Sequence, residues 1–185
     1  MEKSFIFLIF EDVNISFERV SKFDTPTHRR EFVKSAYSAI EGLNWQNHQN
    51  LFTSSFSDDL EPHEVQLLRE ENYIVDDRGL IKVQQKNLPL LSSFKLPIKL
   101  MEKYIEGYKC LAFEGRGWNS FRDGLKVRNR LMHPKSIEDL QVSDPEMTIV
   151  LDGFRWAGDL AIHALETINL DLKKKRDGLV ILFEK

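Results

Sequence analysis

A short stretch in the second half of the chain carries the residue types best suited to binding phosphate. Arg128, Asn129 and His133 fall within about two helical turns of one another, just before Pro134. The planar arginine fork offers five donors that match phosphate oxygens, and histidine titrates near neutral pH. These three residues are therefore candidates for a phosphate site.

An amphipathic helix from Trp118 to Met132 is predicted to position this group. At about 100° per residue, four apolar side chains share one sector that we expect to be buried: Trp118, Phe121, Leu125 and Met132. Arg128 falls at the edge of that sector. A guanidinium beside apolar surface costs several kcal/mol unless it is paired or reaches an anion, so Arg128 needs a specific partner.

Two explanations for Arg128 remain open at this point. In the first, it forms a salt bridge with an acidic residue of the first helix, such as Glu41, while Asn129 and His133 cap the helix end. In the second, the three residues bind a phosphate group. Local charge favours the second, because residues 121–135 contain one acid, Asp123, against five cations: Arg122, Lys126, Arg128, Arg130 and Lys135.

Composition limits the other classes of function. The chain has 185 residues, a net charge of -3 and a single cysteine, Cys110, so we expect neither a disulfide framework nor a thiolate metal site. We predict no metal and no cofactor. The apolar run of residues 5–10 is too short for a signal peptide or a membrane span. The sequence thus predicts a cytoplasmic protein without membrane contact, in which any nucleic acid would bind a local basic patch.

The hydrophobic periodicity predicts one domain over residues 1–185, with an all-α fold of four to five helices and a small β-hairpin insert. The helical core covers about residues 26–169, and the insert covers about 72–91. Helices are expected over 26–44, 61–71, 94–112 and 118–132, and from the Ser143 capping box to about Ile168. The apolar segments at 5–10 and 179–183 are predicted to pair as strands.

The spacing of Arg128 and His133, with a polar residue directly after the arginine, resembles the Arg-(four to six residues)-His signature of HEPN domains (higher eukaryotes and prokaryotes nucleotide-binding). The helix over residues 29–41 is also similar to the first helix of that family. The resemblance covers about residues 26–169. It implies a helical bundle that pairs as a two-fold homodimer and, in active members, a metal-independent endoribonuclease.

Carried to this chain, the resemblance implies a role for each motif residue. Arg128 would stabilise charge on the scissile phosphate, His133 would act as general acid or base, and Asn129 would orient the phosphate or the imidazole. The surrounding cations would bind the single-stranded RNA: Arg122, Lys126, Arg130 and Lys135. Pro134 directly after the histidine, and the lack of a tyrosine soon after it, differ from the pattern of some subgroups of the family.

Chemistry gives a separate reason to expect a homodimer. In-line transfer needs one group that takes a proton and one that returns it, and each chain has a single histidine in the motif. A two-fold axis near the end of this helix would supply the second. Such an enzyme could serve as a toxin or in antiviral defence, with an antitoxin or regulatory protein as partner. The alternative is a non-catalytic module that binds nucleotide or a protein partner through Arg128.

Overall fold

The computed structural model of the protein describes residues 5–183, and within 178–183 only the course of the backbone. This part of the chain is mostly helical and contains one two-stranded antiparallel sheet. None of its helices combines the length and the apolar character that crossing a membrane requires. The elements are α1 (Phe5–Lys22), α2 (Pro26–Leu51), α3 (Pro62–Leu68), β1 (Glu71–Val75), β2 (Ile81–Gln85), α4 (Leu90–Tyr104), α5 (Arg116–Met132) and α6 (Asp144–Phe183).

The described chain divides into two compact units. The first unit holds residues 5–43 and 111–162, and so contains α1, the larger part of α2, all of α5 and the first half of α6. The second unit holds residues 44–110 and 163–183, with α3, the hairpin and α4. The motif residues all lie in the first unit.

The prediction of a mostly helical chain with a hairpin insert is confirmed. The two strands fall where the period of the sequence changes, with Tyr73 opposite Val83 and Val75 opposite Ile81. Residues 5–183 form six α-helices instead of the four to five expected, since α1 was not foreseen. Two helices are also shorter than predicted: α3 ends at Leu68, and α4 ends at Tyr104.

The prediction that the terminal apolar segments pair as strands is wrong. The first segment lies in α1, and the second lies at the end of α6. In α1 the helical period continues past residue 10: Phe10 packs on Phe154 with ring centroids 5.7 Å apart, Val13 is buried, and Phe17 packs on Phe32 at 5.4 Å. Spacings of three and four residues place such side chains on one helical face, so an apolar run of six residues is ambiguous until its continuation is read.

Aromatic rings join α5 to α6 in the first unit. Trp118 and Phe121 lie 5.5 Å apart, and both contact Trp156 of α6, at 5.6 and 5.3 Å between centroids. Phe113, just before α5, meets Trp118 edge-on at 5.3 Å. Burying large rings contributes about 1.5–3 kcal/mol for each side chain, so this cluster is a main source of stability for the helix that carries the motif.

Two glycines set how closely the neighbours of α5 approach it. The Tyr37 hydroxyl of α2 donates a hydrogen bond of 2.6 Å to the Phe121 carbonyl, and a Cβ atom at Gly124 would lie 2.5 Å from that hydroxyl. On the side of α6, a Cβ atom at Gly153 would lie 2.8 Å from the Phe121 Cα. At both positions a side chain would push two helices apart.

Buried polar contacts organise the second unit. His48 is 1% exposed, and its two ring nitrogens lie 3.1 Å from the Leu68 carbonyl and 3.0 Å from the Ser93 carbonyl. Asn44 donates to the Ser93 hydroxyl at 2.6 Å. These contacts tie α2 to α3 and α4, so the role of His48 in this unit is to hold the helices together.

Replacing Gly153 with alanine is expected to destabilise the protein, because the new Cβ would overlap the backbone of α5. Over-packing of this kind costs about 1–3 kcal/mol. Gly158, one and a half turns further along α6, has nothing within 4 Å of a Cβ position. Gly158→Ala is the matched control and is expected to stabilise by about 0.5–1 kcal/mol through helix propensity. Urea unfolding of both variants checks this, and equal effects would contradict it.

Candidate phosphate-binding site on α5

The buried face of α5 differs from the predicted one. Met132 is 46% exposed and Leu125 is only half-buried, so the expectation that both belong to the buried sector is wrong for Met132 and partly wrong for Leu125. Two of the buried residues, Ser120 and Gly124, are small. The full set is Trp118, Ser120, Phe121, Gly124, Val127 and Leu131. Small residues allow the closest contact between helices. The face of α5 that contains them is therefore buried, in place of the face that hydrophobicity alone indicates.

Arg128 is held at the margin of this buried face. Its side chain is 26% exposed, and Nη2 forms an ion pair of 2.6 Å with Oε1 of Glu41 on α2. Nη1 donates to Oδ1 of Asn129 at 3.2 Å. A guanidinium has five N–H groups, and the other three have no partner among residues 5–183. The salt bridge with Glu41 that one of the two explanations predicts is therefore present, and Arg128 keeps free donors.

Tyr37 and Glu41 lie one turn apart on α2 and reach α5 at two points, Phe121 and Arg128. Burial raises the pKa of Tyr37 well above its usual value; Asp123 adds to this effect and Arg128 opposes it. The hydroxyl therefore stays protonated and keeps donating to the Phe121 carbonyl. Together the two contacts fix the direction in which the Arg128 side chain leaves the helix.

His133 lies immediately after the last helical residue of α5. Its backbone N–H donates to the Asn129 carbonyl at 3.1 Å, and its own φ of -131° and ψ of 56° end the helix. The imidazole is exposed, and neither ring nitrogen has a hydrogen-bond partner within the described part of the chain. Asn129 is also exposed and holds Arg128 through its side-chain oxygen. Both imidazole nitrogens are thus available to a ligand.

Two of the four predicted RNA-binding cations continue this exposed surface along α5. Arg122 donates to the Asn119 side chain at 3.2 Å, and Lys126, which is 73% exposed, pairs with Asp123 at 2.7 Å. That pairing lowers the pKa of Asp123. Spacings of four and three residues place three side chains on one solvent-facing stripe of the helix, which ends one turn before His133: Arg122, Lys126 and Asn129.

Arg130 contacts protein groups with all three of its nitrogen atoms. It pairs with Glu146 at 2.8 Å and donates to the Gln141 carbonyl at 2.7 Å and the Asp139 carbonyl at 3.2 Å. Glu146 also accepts from the Ser143 backbone at 2.9 Å, as the predicted capping box requires. Burial opposes ionisation of Glu146, but Arg130 and Ser143 outweigh it and lower its pKa. Arg130 therefore fastens the segment before α6 to α5.

The fourth predicted cation, Lys135, stands in the turn that follows His133. Its backbone N–H and that of Ser136 donate to the Asp139 carboxylate at 2.8 and 3.2 Å, which fixes the turn. The Lys135 side chain is exposed. The structure thus places the exposed Lys135 side chain in the turn that directly follows His133.

The arrangement supplies hydrogen-bond donors that can bind an anion. It also supplies a group that can act as acid or base, but it does not supply a set of metal ligands. Among residues 5–183 there is no group of three or more His, Cys, Asp or Glu side chains placed to hold a metal ion. Sequence reasoning missed Tyr37, which sets the position of α5. Its spacing of four residues from Glu41, on the same face of a predicted helix, is the signal that could have identified it.

Comparison with protein-family models, with curated proteins and with solved structures finds no match for this chain. The fold and the site therefore define the class only as a mostly helical protein with a two-stranded sheet and an accessible Arg–Asn–His group at the end of one helix.

Arg130→Ala is expected to lower the free energy of unfolding by about 1–2 kcal/mol, because it removes charge-assisted hydrogen bonds that hold the segment before α6. Lys126→Ala removes one cation from the same helix but breaks only an exposed pair, which costs less than about 0.5 kcal/mol. Urea titration of the two variants measures the difference. A larger loss for Lys126→Ala would contradict the assignment of Arg130 as a tether.

Proposed function

We propose that this protein is a metal-independent endoribonuclease of the HEPN type, which cleaves single-stranded RNA as a homodimer. One observation carries the proposal: at the exposed end of the same helix lie an arginine that contacts Glu41 and Asn129 and keeps three free N–H groups, and a histidine with a free imidazole. Arginine donors suit phosphate oxygens, and an unpaired imidazole suits proton transfer.

In the proposed reaction, Arg128 binds the non-bridging oxygens of the scissile phosphate. The ribose 2′-oxygen attacks phosphorus and gives its proton to one imidazole, while the bond from phosphorus to the 5′-oxygen breaks. A second, protonated imidazole, from His133 of the other copy, gives a proton to that leaving oxygen. The products are a 2′,3′-cyclic phosphate and a 5′-hydroxyl. Arg128 stabilises the charge that develops on phosphate in the transition state.

Glu41 fits this role as a positioning residue. Its carboxylate engages one Nη2 hydrogen of Arg128 and Asn129 engages one on Nη1, so the guanidinium is oriented before any ligand binds. Preorganised donors need no rearrangement as charge develops, which is why they stabilise a transition state well. The remaining N–H groups are the ones proposed to meet phosphate.

The stripe along α5 suggests how RNA approaches the motif. From Arg122 to Asn129 it extends about 10 Å at 1.5 Å per residue, and its cations can follow the phosphates of a single strand toward His133. Trp118 is 7% exposed and packs in the aromatic cluster, so it does not stack on bases. We therefore expect contact mainly through the backbone of the RNA, with strong salt dependence.

A second candidate function is favoured by the ion pair between Arg128 and Glu41 at 2.6 Å. In that case Arg128 anchors α5 to α2, and the protein is a non-catalytic module that binds a nucleotide or a protein partner. The two candidates differ in what Arg128 contributes: transition-state stabilisation in the first, and stability of the fold in the second.

His133→Ala and Arg128→Ala are each expected to reduce RNA cleavage by about 10²-fold or more, because they remove the proton-transfer group and the phosphate contact. The measurement is cleavage of a labelled single-stranded RNA in the presence of a metal chelator. Arg155→Ala, an exposed cation of α6, is the control and should cleave normally. Cleavage that survives in both variants, or that requires magnesium, would contradict the proposal.

Glu41→Gln separates the two candidate functions, because it removes the ion pair and keeps the arginine. A nuclease should lose only part of its cleavage in this variant, because the guanidinium is less well positioned but still present, and should lose much more in Arg128→Ala. A structural anchor should instead show equal losses of unfolding free energy for Glu41→Gln and Arg128→Ala, with no further loss in the double variant. Unfolding and cleavage measured on the same three variants give the answer.

Removing the two cations upstream on the stripe, Arg122 and Lys126, should lower the affinity for RNA and make binding less dependent on salt. Each phosphate contact on a single strand adds about 0.7 to the slope of log K against log[salt], so the double alanine variant should lose about 1.4. Binding is measured in the His133→Ala background to prevent turnover. The double variant Lys34→Ala/Arg155→Ala, which removes two exposed cations from α2 and α6, is the control. An unchanged slope would remove the stripe from the binding surface.

A further inference from the structure

The β1–β2 hairpin presents an apolar face that is open to solvent. Directly paired residues point to the same side of a sheet. The register therefore places Tyr73 and Val75 of β1 beside Val83 and Ile81 of β2 on one face. These four side chains are 49%, 69%, 60% and 73% exposed, respectively. A two-stranded sheet alone is marginally stable in water, so pairing with a further strand would stabilise the hairpin.

The register also shows which backbone groups of β2 are free. The Asp76 N–H donates to the Leu80 carbonyl at 3.0 Å, and the Lys86 N–H donates to the Glu70 carbonyl at 2.7 Å. Hydrogen-bonded and non-hydrogen-bonded pairs alternate along an antiparallel ladder. Three residues of β2 therefore turn both their N–H and their C=O groups away from β1: Ile81, Val83 and Gln85. No other strand within the described residues covers this edge.

We propose that the outer edge of β2 pairs with β2 of a second copy of this chain, antiparallel and about a two-fold axis at Val83, to form a four-stranded sheet. Val83 is the central residue of β2, so this axis gives the longest overlap of the two strands. It makes Val83 of each copy a hydrogen-bonded pair with the other, and places Ile81 opposite Gln85 of the second copy.

Charge in β2 is compatible with this symmetric pairing. The strand contains one charged residue, Lys82. An axis at Val83 places Lys82 opposite Gln84 of the second copy, so the two lysines are diagonal neighbours about 7–8 Å apart and not directly opposed. A lysine often protects an edge strand from pairing, but here its charge is balanced within the hairpin by Asp76 at 3.0 Å. The charge on β2 therefore does not prevent the symmetric pairing.

The apolar faces supply a driving force. Pairing about Val83 brings the two faces together on one side of the four-stranded sheet, and directly opposed side chains contact each other at about 4.5–5.5 Å between Cβ atoms. The edge backbone groups of Ile81, Val83 and Gln85 then all find partners. This interface rests on the hairpin alone and is independent of the proposed nuclease function.

A disulfide cross-link tests the register directly, in a Cys110→Ser background that removes the native thiol. Hydrogen-bonded antiparallel pairs have Cα atoms about 5.5 Å apart, within the range that a disulfide spans. Val83→Cys is therefore expected to form a cross-linked dimer under mild oxidation. Gln84→Cys is the control, since its two copies would be diagonal neighbours at about 7–8 Å. No cross-link at position 83, or an equal yield at 84, would overturn the proposal.

Proline substitution and hydrogen exchange test the pairing without a covalent bond. The Val83 N–H points away from β1, so Val83→Pro leaves the hairpin ladder intact and blocks only the added strand. It should raise the dissociation constant for this contact at least tenfold in sedimentation equilibrium. In the unmodified protein the amides of Ile81, Val83 and Gln85 should gain protection as concentration rises. Amides that stay unprotected as concentration rises, as in a dimer through α5 alone, or a monomer at every concentration, would overturn the inference.

Discussion

The hydrogen bond from the Tyr37 hydroxyl to the Phe121 carbonyl fixes α5 in the first unit, and the position of the motif depends on it. The bond forms only because Gly124 leaves room for the hydroxyl against α5. One turn along α2, Glu41 then lies within reach of Arg128. A close, glycine-mediated helix contact therefore determines where a charged side chain can stand, and the arginine is oriented by the packing beneath it.

Charge pairing divides the cations of α5 into two groups with different uses. Arg128 and Arg130 are partly buried and have acidic partners, Glu41 and Glu146, on neighbouring helices. Arg122 and Lys126 contact only side chains of their own helix in exposed positions. Pairs of the second kind are weak and exchange readily with an external anion. The same helix thus uses some cations for architecture and leaves others accessible.

Much of the fold could be predicted from the sequence, because long periodic segments and turn residues act locally. The sequence predicts the hairpin, the helix that carries the motif and Ser143 at the start of α6 in this way, but it offers Glu41 only within one of two explanations for Arg128. The buried face of α5 could be predicted only in part: Trp118 and Phe121 are buried as expected, but the rest of the face is set by Gly124 and Ser120 against other helices. The separate use of Arg130 also depends on tertiary contacts that no local pattern indicates.

Pro134 has a consequence for the histidine before it. The proline ring disfavours the helical conformation for the residue before it, and His133 has φ of -131° and ψ of 56°. The imidazole is therefore attached to a non-helical residue whose backbone torsions the Pro134 ring restricts. Because His133 lies outside the helix, a helical wheel does not define the angle between the imidazole and the guanidinium.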